Sequence, residues 1–363
     1  MNRPEPAIDV MSKLTTKLRF YLSLYLSRAG VRNGRFTELS GRLESPDAYG
    51  SKGRRVFFWT PSATAGARVI VHDVLPGIIS KVNDLGLDWE VSAGATVPDG
   101  KLDDLICFKA VPDADQRTRS GRVVMLICDQ ADAYWPHLSS YDALVATSSH
   151  PFAQLVALRN PNTFYIGESE PPELVDAGVD LLKDIDFTPR RHLVWHGGAY
   201  SLGALRDLQP VLSKMDFGSD AALRIVSGTG PERSEQWGRL KVDYIPWAVE
   251  SLQRVAATAR LGLVPARPSL KNSWLKPASR VRRLFGMGVP AIGDGRVPDV
   301  KKFMEHFDGP LAANTTQWAS TIKQLWNSPE TLANLAKAGH EVVKEHYTTR
   351  RTAVQWLNFL RQG

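Results

Sequence analysis

The sequence predicts an α/β protein built from two Rossmann-like, doubly wound domains that face a central cleft. Three observations lead to this prediction. The 363 residues exceed the length at which a single hydrophobic core keeps growing. Short apolar strands alternate with helices along most of the chain, as in parallel βαβ units. That alternation stops at a charged stretch, residues 183–191, and then starts again, so we expect a ligand cleft at the carboxyl ends of both sets of strands.

The composition is that of an ordinary globular protein, with 43% hydrophobic and 23% charged residues. A net charge of +7 favours an anionic partner, and nucleic acid, phosphorylated small molecules and anionic lipid all fit that charge. The sequence has no apolar run long enough to cross a membrane, and its start lacks the layout of a signal peptide. The two cysteines, Cys107 and Cys128, lie in apolar runs and are typical of reduced core thiols. These features predict a cytoplasmic protein.

Residues 1–50 are predicted to form a basic extension rather than part of a sheet. Leucines and tyrosines recur there at helical spacing, beside basic residues and with no acid between Asp9 and Glu38. The apolar stripe consists of Leu14, Leu18, Tyr21, Leu22 and Tyr25. A helix of this kind can lie on an anionic membrane surface, which we would assign to residues 10–35. The alternative is a helix whose apolar stripe packs on the main body of the protein.

Residues 51–188 are predicted to form the first Rossmann-like domain. A helix over Ala67–Leu85 is expected after its first strand. Short apolar runs rich in β-branched residues predict its strands: Val56–Trp59, Trp89–Val91, Leu105–Phe108, Val123–Cys128, Ala143–Ala146 and Thr163–Ile166.

Residues 189–348 are predicted to form the second Rossmann-like domain. Its predicted strands are His192–His196, Leu223–Val226, Val242–Ile245, Leu261–Val264 and Ala291–Ile292. Its predicted helices include Leu202–Lys214, Pro277–Met287, Thr315–Trp326 and Pro329–Glu345. A last helix within residues 349–363 is expected to pack back on the first domain.

The stretch from Arg260 to Ile292 is rich in basic residues and contains no acidic one. A helix that begins at Pro277 would place Lys276, Arg280 and Arg283 on one face near its N-terminus, where the helix dipole already favours anions. Guanidinium groups grip phosphate oxygens through paired hydrogen bonds, so a diphosphate is the expected counter-charge. The alternative is a solvated basic helix face.

The segment KPASRVRRLFGMGVPAI, residues 276–292, resembles the donor-site signature of GT-B glycosyltransferases of the family-4 kind. Lys276, Arg280, Gly288 and Pro290 match that signature in register. Members usually carry two glutamates around this helix, and Leu275 and Arg283 stand at the matching places. Arg283 cannot accept hydrogen bonds from ribose hydroxyls. We therefore expect nucleotide recognition to differ from the usual form, or the donor to carry additional negative charge.

Other segments resemble the same family in the expected order. Gly197-Gly198 resembles the loop that approaches the donor phosphates, and residues 242–265 resemble the nucleotide-facing strand and helix with the strand that follows. In the first domain, VVMLICDQADAYW and YDALVATSSH resemble strand-end segments that face the cleft. The likeness covers roughly residues 55–360.

The resemblance implies transfer of a sugar from a nucleotide-sugar donor to a glycan or lipid-linked acceptor, with no other cofactor, no metal and no nucleic acid. Lys276 and Arg280 would stabilise the leaving phosphate, and Asp129 is the expected catalytic carboxylate. The residues expected to bind the donor are Gly197, Gly198, Gly228, Trp247, Lys276, Ser279, Arg280 and Arg283. The candidates on the acceptor side are Asp132, His150, Glu168 and Glu170. Each of these acids is alternatively a helix cap or a surface residue, and His150 is alternatively a structural histidine.

Asp184 and Asp186 form an acid-x-acid pattern that holds a metal ion in the other major glycosyltransferase fold. They fall in the predicted linker rather than at a strand end, so we expect no metal site there.

Three functions fit these observations. The first is a bacterial glycosyltransferase that builds a surface polysaccharide or glycolipid at the inner face of the membrane. The second is a nucleotide-sugar 2-epimerase, which would change a sugar stereocentre without any acceptor and would need acids and histidines around the donor sugar. The third is a non-catalytic binding protein of the same fold, in which Lys276→Ala would leave function intact.

Overall fold

The computed structural model describes residues 19–27, 33–43, 49, 53–62, 64, 67–129, 131–183, 185–228, 231–267 and 273–362. The chain forms two compact units. The first contains the residues up to Ser169 and those from Thr349 onwards, and the second contains Glu170–Thr348. The division lies at Ser169 rather than at the predicted boundary after residue 188, because the helix Pro172–Lys183 packs on helices of the second unit.

The first unit is built on a parallel sheet. Its strands are β1 (Thr37–Glu38), β2 (Arg54–Trp59), β3 (Trp89–Gly94), β4 (Leu102–Phe108), β5 (Ser120–Ile127), β6 (Ala143–Ala146) and β7 (Thr163–Tyr165). They lie in the order β1-β7-β6-β5-β4-β2-β3. Every residue of β6 is buried, as expected of a central parallel strand that is covered on both faces.

Short helices connect these strands. They are α1 (residues 19–27), α2 (Leu75–Asp84), α3 (Ala114–Thr118), α4 (Ala131–Tyr134) and α5 (His150–Ala157), with a 3₁₀ turn at Leu138–Ser140. The predicted helix Ala67–Leu85 is not continuous: a π-helical turn at Arg68–His72 precedes α2. Pro76 lies in the first turn of α2, where its missing N–H is tolerated, but it cannot continue the hydrogen bonds of a preceding helix.

The prediction that residues 1–50 lie outside any sheet is wrong at β1. This strand pairs in parallel with β7, with Thr37 opposite Phe164 and Glu38 opposite Tyr165. Two residues are too few to show the period of a strand in the sequence.

The apolar stripe predicted for the basic extension is described only from α1 onwards, since Leu14 and Leu18 lie outside the described residues. In α1 the buried apolar residue is Phe20, whose ring lies 5.4 Å from that of Trp135. Leu22 and Tyr25, which belong to the predicted stripe, are exposed.

The second unit is built on a mixed sheet. Its strands are β8 (His192–Gly197), β9 (Ala222–Ser227), β10 (Arg233–Trp237), β11 (Leu240–Pro246), β12 (Ala259–Val264), β13 (Ala291–Asp294) and β14 (Leu311–Ala312). Their order is β10-β11-β9-β8-β12-β13-β14, and only β10 is antiparallel to its neighbour among the described strands. The chain therefore leaves β8 on one side towards β9 and β11, and returns on the other side at β12 and β13.

The helices of the second unit cover both faces of this sheet. They are α6 (Pro172–Lys183), α7 (Leu202–Arg206), α8 (Gln209–Leu212), α9 (Val249–Ala256), α10 (Ser279–Gly286), α11 (Pro298–Met304), α12 (Thr315–Trp326) and α13 (Pro329–His346), with 3₁₀ turns at Ala199–Ser201 and Ser273–Leu275. The predicted helix Leu202–Lys214 is divided into α7 and α8, because Pro210 stands in the first turn of α8. The predicted α/β fold class with two Rossmann-like sheets is confirmed.

The last helix, α14 (Thr349–Leu360), belongs to the first unit and packs on α2. The ring of Trp356 lies 5.0 Å from that of Phe58, and Oδ1 of Asn358 accepts a hydrogen bond from the hydroxyl of Tyr49 at 2.8 Å. The chain thus leaves the first unit at Ser169 and re-enters it at Thr349. None of the helices in the described part of the chain is long and apolar enough to span a bilayer.

Candidate active site

Three neighbouring parallel strands of the second sheet end in register. Gly197 at the end of β8 is opposite Ser227 at the end of β9, and Ser227 is opposite Pro246 at the end of β11. Because strands are added on both sides of β8, this carboxyl edge contains the switch point at which open α/β sheets bind ligands. The structure brings the residues that follow these strand ends to this edge: Gly198, Gly228 and Trp247.

Gly197 allows α10 to approach the end of β8. Its φ of 155° is one that residues with side chains rarely adopt. A Cβ atom there would lie 3.1 Å from the ring of Trp195 and 3.3 Å from Cδ of Arg280. A Cβ atom on Gly228, in contrast, would meet no described atom within 4 Å. Gly197 therefore makes room for the side chain of Arg280, whereas Gly228 borders open space.

The Arg280 guanidinium lies at this edge with a hydrogen-bond donor that is unsatisfied within the described part of the chain. Its Cζ lies 5.9 Å from the ring centroid of Trp195, and its buried Nη1 has no hydrogen-bond partner among the described residues. Burial lowers the pKa of Arg280 below its usual value. A desolvated cation with a free donor is a strong binding point for an anion.

His196, in β8, links that strand to α10 through a hydrogen bond to the backbone of Arg280. Its Nε2 lies 3.0 Å from the backbone oxygen of Arg280 and donates to it. Burial, together with the nearby charge of Arg283, lowers the pKa of His196 to about 3. The imidazole is therefore neutral at physiological pH and acts as a structural link.

Lys276 and two aromatic side chains complete the edge. Nζ of Lys276 lies 5.2 Å from the ring centroid of Tyr200, which follows the Gly197-Gly198 pair. Tyr200 and Trp247 are both exposed, and exposed aromatic faces stack on bases and sugars. Ser279 begins α10, whose first backbone N–H groups have no partner within the helix.

Arg283 has a different partner from the predicted anion. Its Nε donates to Oε2 of Glu170 at 3.0 Å, and Nε of Arg282 lies 3.5 Å from Oε1 of the same carboxylate. Glu170 and Arg282 are each 1% exposed, so the ion pair is buried. A carboxylate of the protein thus compensates Arg283, and Lys276 and Arg280 remain the cations at the strand ends. Glu170, predicted on the acceptor side, is the first residue of the second unit.

The carboxyl edge of the first sheet carries a second polar group. Asp129, two residues after β5, forms an ion pair with Lys109, which directly follows β4 with a φ of 49°. Burial and the charge of Asp129 raise the pKa of Cys128 to about 12, and Glu168, three residues after β7, acts on it in the same direction. Asp129 and Glu168 therefore lie at one edge with Lys109. Asp132 lies in the first turn of α4.

His150 packs within the first unit. Its ring lies 4.2 Å from that of Tyr165 and 5.7 Å from that of Phe36, and its Nε2 is 3.4 Å from Oε2 of Glu38. These contacts join the start of α5 to the strands β1 and β7, which is a structural role. Both cysteines, Cys107 and Cys128, are buried and unbridged, as predicted.

Within the described ranges, no three His, Cys, Asp or Glu side chains are grouped as a metal site. Asp184, the first acid of the acid-x-acid pattern, lies outside the described residues. Asp186 is exposed, and its Oδ1 accepts a hydrogen bond from the backbone N of Thr188 at 2.7 Å.

Several solved structures of similar architecture are glycosyltransferases. A glycosyltransferase from Rickettsia africae has a TM-score of 0.60 at 11% identity, over 86% of this chain and 98% of that chain. Sucrose-phosphate synthase from Thermosynechococcus elongatus has a TM-score of 0.60 at 13% identity, over 85% and 98%. HepE from Anabaena, in complex with UDP and glucose, has a TM-score of 0.57 at 10% identity, over 85% and 100%. The chain has the GT-B fold. No family model matches the sequence, and no curated protein does.

Sequence reasoning missed three residues at the two strand edges of this GT-B chain: Lys109, Tyr200 and Asp294. Asp294 ends β13 fully buried, and its carboxylate accepts from the backbone N of Ala266 at 2.9 Å and from Nη2 of Arg296 at 2.7 Å. Its sequence signal is an acid that directly follows an apolar strand, the same signal that pointed to Asp129. Lys109 and Tyr200 have no comparable signal, because a single lysine or tyrosine after a strand is common on protein surfaces.

Proposed function

We propose that this GT-B protein is a nucleotide-sugar-dependent glycosyltransferase of the family-4 kind, whose donor diphosphate binds at the carboxyl edge of the second sheet. The observation that carries the proposal is the buried Nη1 of Arg280, which has no partner among the described residues. Lys276 lies at the same edge, against Tyr200, whose hydroxyl also influences Arg280 electrostatically. Two cations without an ion-pair partner in the described part of the chain match the charge of a diphosphate.

In the proposed reaction the bond between the anomeric carbon and the phosphate oxygen breaks, and a bond from that carbon to the acceptor oxygen forms. Negative charge develops on the leaving diphosphate, where Lys276 and Arg280 would stabilise it. Trp247 would stack on the nucleobase. The proton of the acceptor hydroxyl passes to a base, and we assign that role to Asp129, whose carboxylate lies at a strand end beside Lys109.

We further propose that the donor is a uridine nucleotide of a hexose and that the acceptor is a glycan or a lipid-linked glycan in bacterial surface polysaccharide synthesis. HepE, which has the same fold, binds UDP and glucose. The exposed Leu22 and Tyr25 in a basic segment support contact with an anionic membrane surface through residues 10–35 at its cytoplasmic face. The proposed reaction uses no metal, no cofactor besides the nucleotide sugar and no nucleic acid.

A titration of the full chain with a panel of nucleotide sugars, beginning with UDP-glucose, tests this function. We expect saturable binding of at least one donor and slow hydrolysis of that donor in the absence of acceptor. Arg280→Ala should lower kcat/KM for donor hydrolysis by about 100-fold or more, because the developing phosphate charge loses its principal donor. Arg239→Ala, at an exposed arginine between β10 and β11, is the matched control and should leave the rate unchanged.

Product analysis separates the alternatives. A changed stereocentre in the released sugar would identify an epimerase, and saturable binding without any turnover would identify a binding protein. Failure to bind every nucleotide and nucleotide sugar in the panel would overturn the assignment of the donor site.

A further inference from the structure

A polar pocket of about 260 Å³ opens at the amino-terminal edge of the second sheet. Arg190 and Arg191 directly precede β8, and Arg260 lies at the start of β12, the strand that pairs with β8. Trp326 and Asn327 at the end of α12 also line the pocket. The six residues of β8 span roughly 20 Å. A small ligand in this pocket therefore cannot also reach the candidate donor site at the other end of the strand.

A bulge in β12 places Arg260 in the pocket. Ala259 pairs with His192 and Leu261 pairs with Leu193, so that Arg260 is an extra residue without a counterpart on β8. A bulge of this kind bends the strand and redirects the side chain at that point. The Arg260 side chain turns to the end of α12, where its Nε donates to the backbone oxygen of Trp326 at 2.9 Å.

The pocket concentrates positive charge away from water. Arg190 and Arg260 are each only 8% exposed, whereas Arg191 is exposed. Burial lowers the pKa of Arg190 and that of Arg260, and the charge of Arg191 lowers the pKa of Arg260 further. The described carboxylate that acts on both buried arginines, Asp186, is itself exposed and bonded to Thr188. Three guanidinium groups thus line one small pocket that has no carboxylate among its described lining residues.

One guanidinium nitrogen of Arg190 is left without a partner. Its Nη2 donates to the backbone oxygen of Leu181 at 3.2 Å, and its Cζ lies 4.3 Å from the ring centroid of Phe187. Its Nη1 is buried and has no hydrogen-bond partner among the described residues. A buried donor on a charged group is costly when it stays unsatisfied. An anion in the pocket would lie against the guanidinium group that carries this nitrogen and would offset its charge.

We propose that this pocket binds a phosphate group, carried either by inorganic phosphate or by a small phosphate monoester. Guanidinium groups present paired donors that match the oxygens of a phosphate, and Arg190 and Arg191 both line the pocket. Arg260, whose Nε and Nη1 donate to backbone oxygens, adds its positive charge. Asn327 and Thr188 add polar groups to the wall. The pocket is separate from the candidate donor site, and its occupancy does not depend on the glycosyltransferase function.

Calorimetric titration of the full chain with sodium phosphate at constant ionic strength tests the proposal. The titration uses the Lys276→Ala and Arg280→Ala double variant, in which the donor site cannot contribute. We expect saturable binding to one site. Arg190→Gln and Arg191→Gln should each weaken that binding by about tenfold, since each removes a charged donor. Arg191 is exposed, so its substitution leaves folding intact, and Arg239→Gln is the matched exposed control that should change nothing.

A parallel titration with glycerol 3-phosphate distinguishes the two sources of the phosphate. Tighter binding than that of inorganic phosphate indicates a monoester as the ligand, and equal or weaker binding indicates free phosphate. The proposal is overturned if phosphate shows no saturable binding, or if Arg190→Gln and Arg191→Gln bind it as tightly as the control.

Discussion

Replacing Glu170 by alanine removes the carboxylate that Arg282 and Arg283 share. Oε1 of Glu170 lies 3.5 Å from Nε of Arg282, and Oε2 accepts from Nε of Arg283 at 3.0 Å. The side chains of Glu170 and Arg282 are each 1% exposed, so water cannot replace the carboxylate around Arg282. We expect the free energy of unfolding to fall by about 3–5 kcal/mol, the usual loss when one partner of a buried ion pair is removed.

Urea unfolding at pH 7, followed by tryptophan fluorescence, measures this loss. Glu173→Ala is the matched control, because Glu173 is the same residue type three positions later and is exposed in the first turn of α6. Its free energy of unfolding should stay within about 0.5 kcal/mol of that of the parent protein. Glu170→Gln keeps an acceptor oxygen but loses the charge, so its free energy of unfolding should lie between those of Glu170→Ala and Glu173→Ala.

A second substitution shows whether the buried cation is the cause. In the Glu170→Ala background, Arg282→Met removes one of the two cations that shared the carboxylate and should recover part of the stability, because an apolar side chain costs less in this buried position than a charge whose carboxylate has been removed. The reasoning is refuted if Glu170→Ala costs less than about 1 kcal/mol, or if adding Arg282→Met lowers stability further.

Three further predictions concern other parts of the chain. Trp247→Ala should raise the Kd for a nucleoside diphosphate roughly tenfold by calorimetry, since stacking on an aromatic ring contributes about 1–3 kcal/mol per base; an unchanged Kd would exclude stacking. The pKa of His196 is about 3 in the folded protein and about 6.5 in the unfolded chain. The stability that the neutral imidazole contributes is therefore complete above pH 6.5 and is lost as the pH falls from 6.5 towards 3. His196→Asn should therefore reduce the loss of unfolding free energy between pH 7 and pH 5 by about 2 kcal/mol in urea titrations; an equal loss in both proteins would contradict this. Leu22→Ser with Tyr25→Ser should reduce co-sedimentation with phosphatidylglycerol vesicles and leave donor hydrolysis in solution unchanged, and undiminished sedimentation would refute the membrane contact.

The sequence predicted most accurately those helices and strands whose apolar pattern and capping residues lie within or beside the element itself. The strand Ala143–Ala146 and the helix Thr315–Trp326 have the predicted bounds, because one is a short apolar run and the other an amphipathic helix with an Asn314 cap. The strand Arg233–Trp237 was missed, since it is polar and largely exposed and exists through its antiparallel pairing with Leu240–Pro246. Pairing of that kind depends on a partner strand, which local periodicity does not record.

The same distinction applies to the candidate site. Helical spacing correctly placed Arg280 and Arg283 in one helix, α10, but it could not show that their side chains meet different partners. The partner of Arg283 is Glu170, which lies 113 positions earlier in the chain. The arrangement around Arg280 also depends on a distant residue, because a Cβ atom at position 197 would lie 3.3 Å from Cδ of Arg280 and crowd its side chain.

A segment that is rich in basic residues and contains no acidic one can still have its charges compensated by residues elsewhere in the chain. The arginines between residues 260 and 292 are an example. The adjacent pair on α10 takes its counter-charge from Glu170, and Arg267 takes its own from Asp207. Arg260 donates to backbone carbonyls, including the one at the end of α12. Each of these partners lies far away in sequence, so composition alone could not separate compensated arginines from uncompensated ones. Of the arginines described in this run, Arg280 is the one without an ion-pair partner or side-chain hydrogen bond among the described residues, and its buried Nη1 lies at a strand end. The charge of Asp294 acts on it through space, but no described acceptor meets that nitrogen, which is why we propose an anionic ligand there.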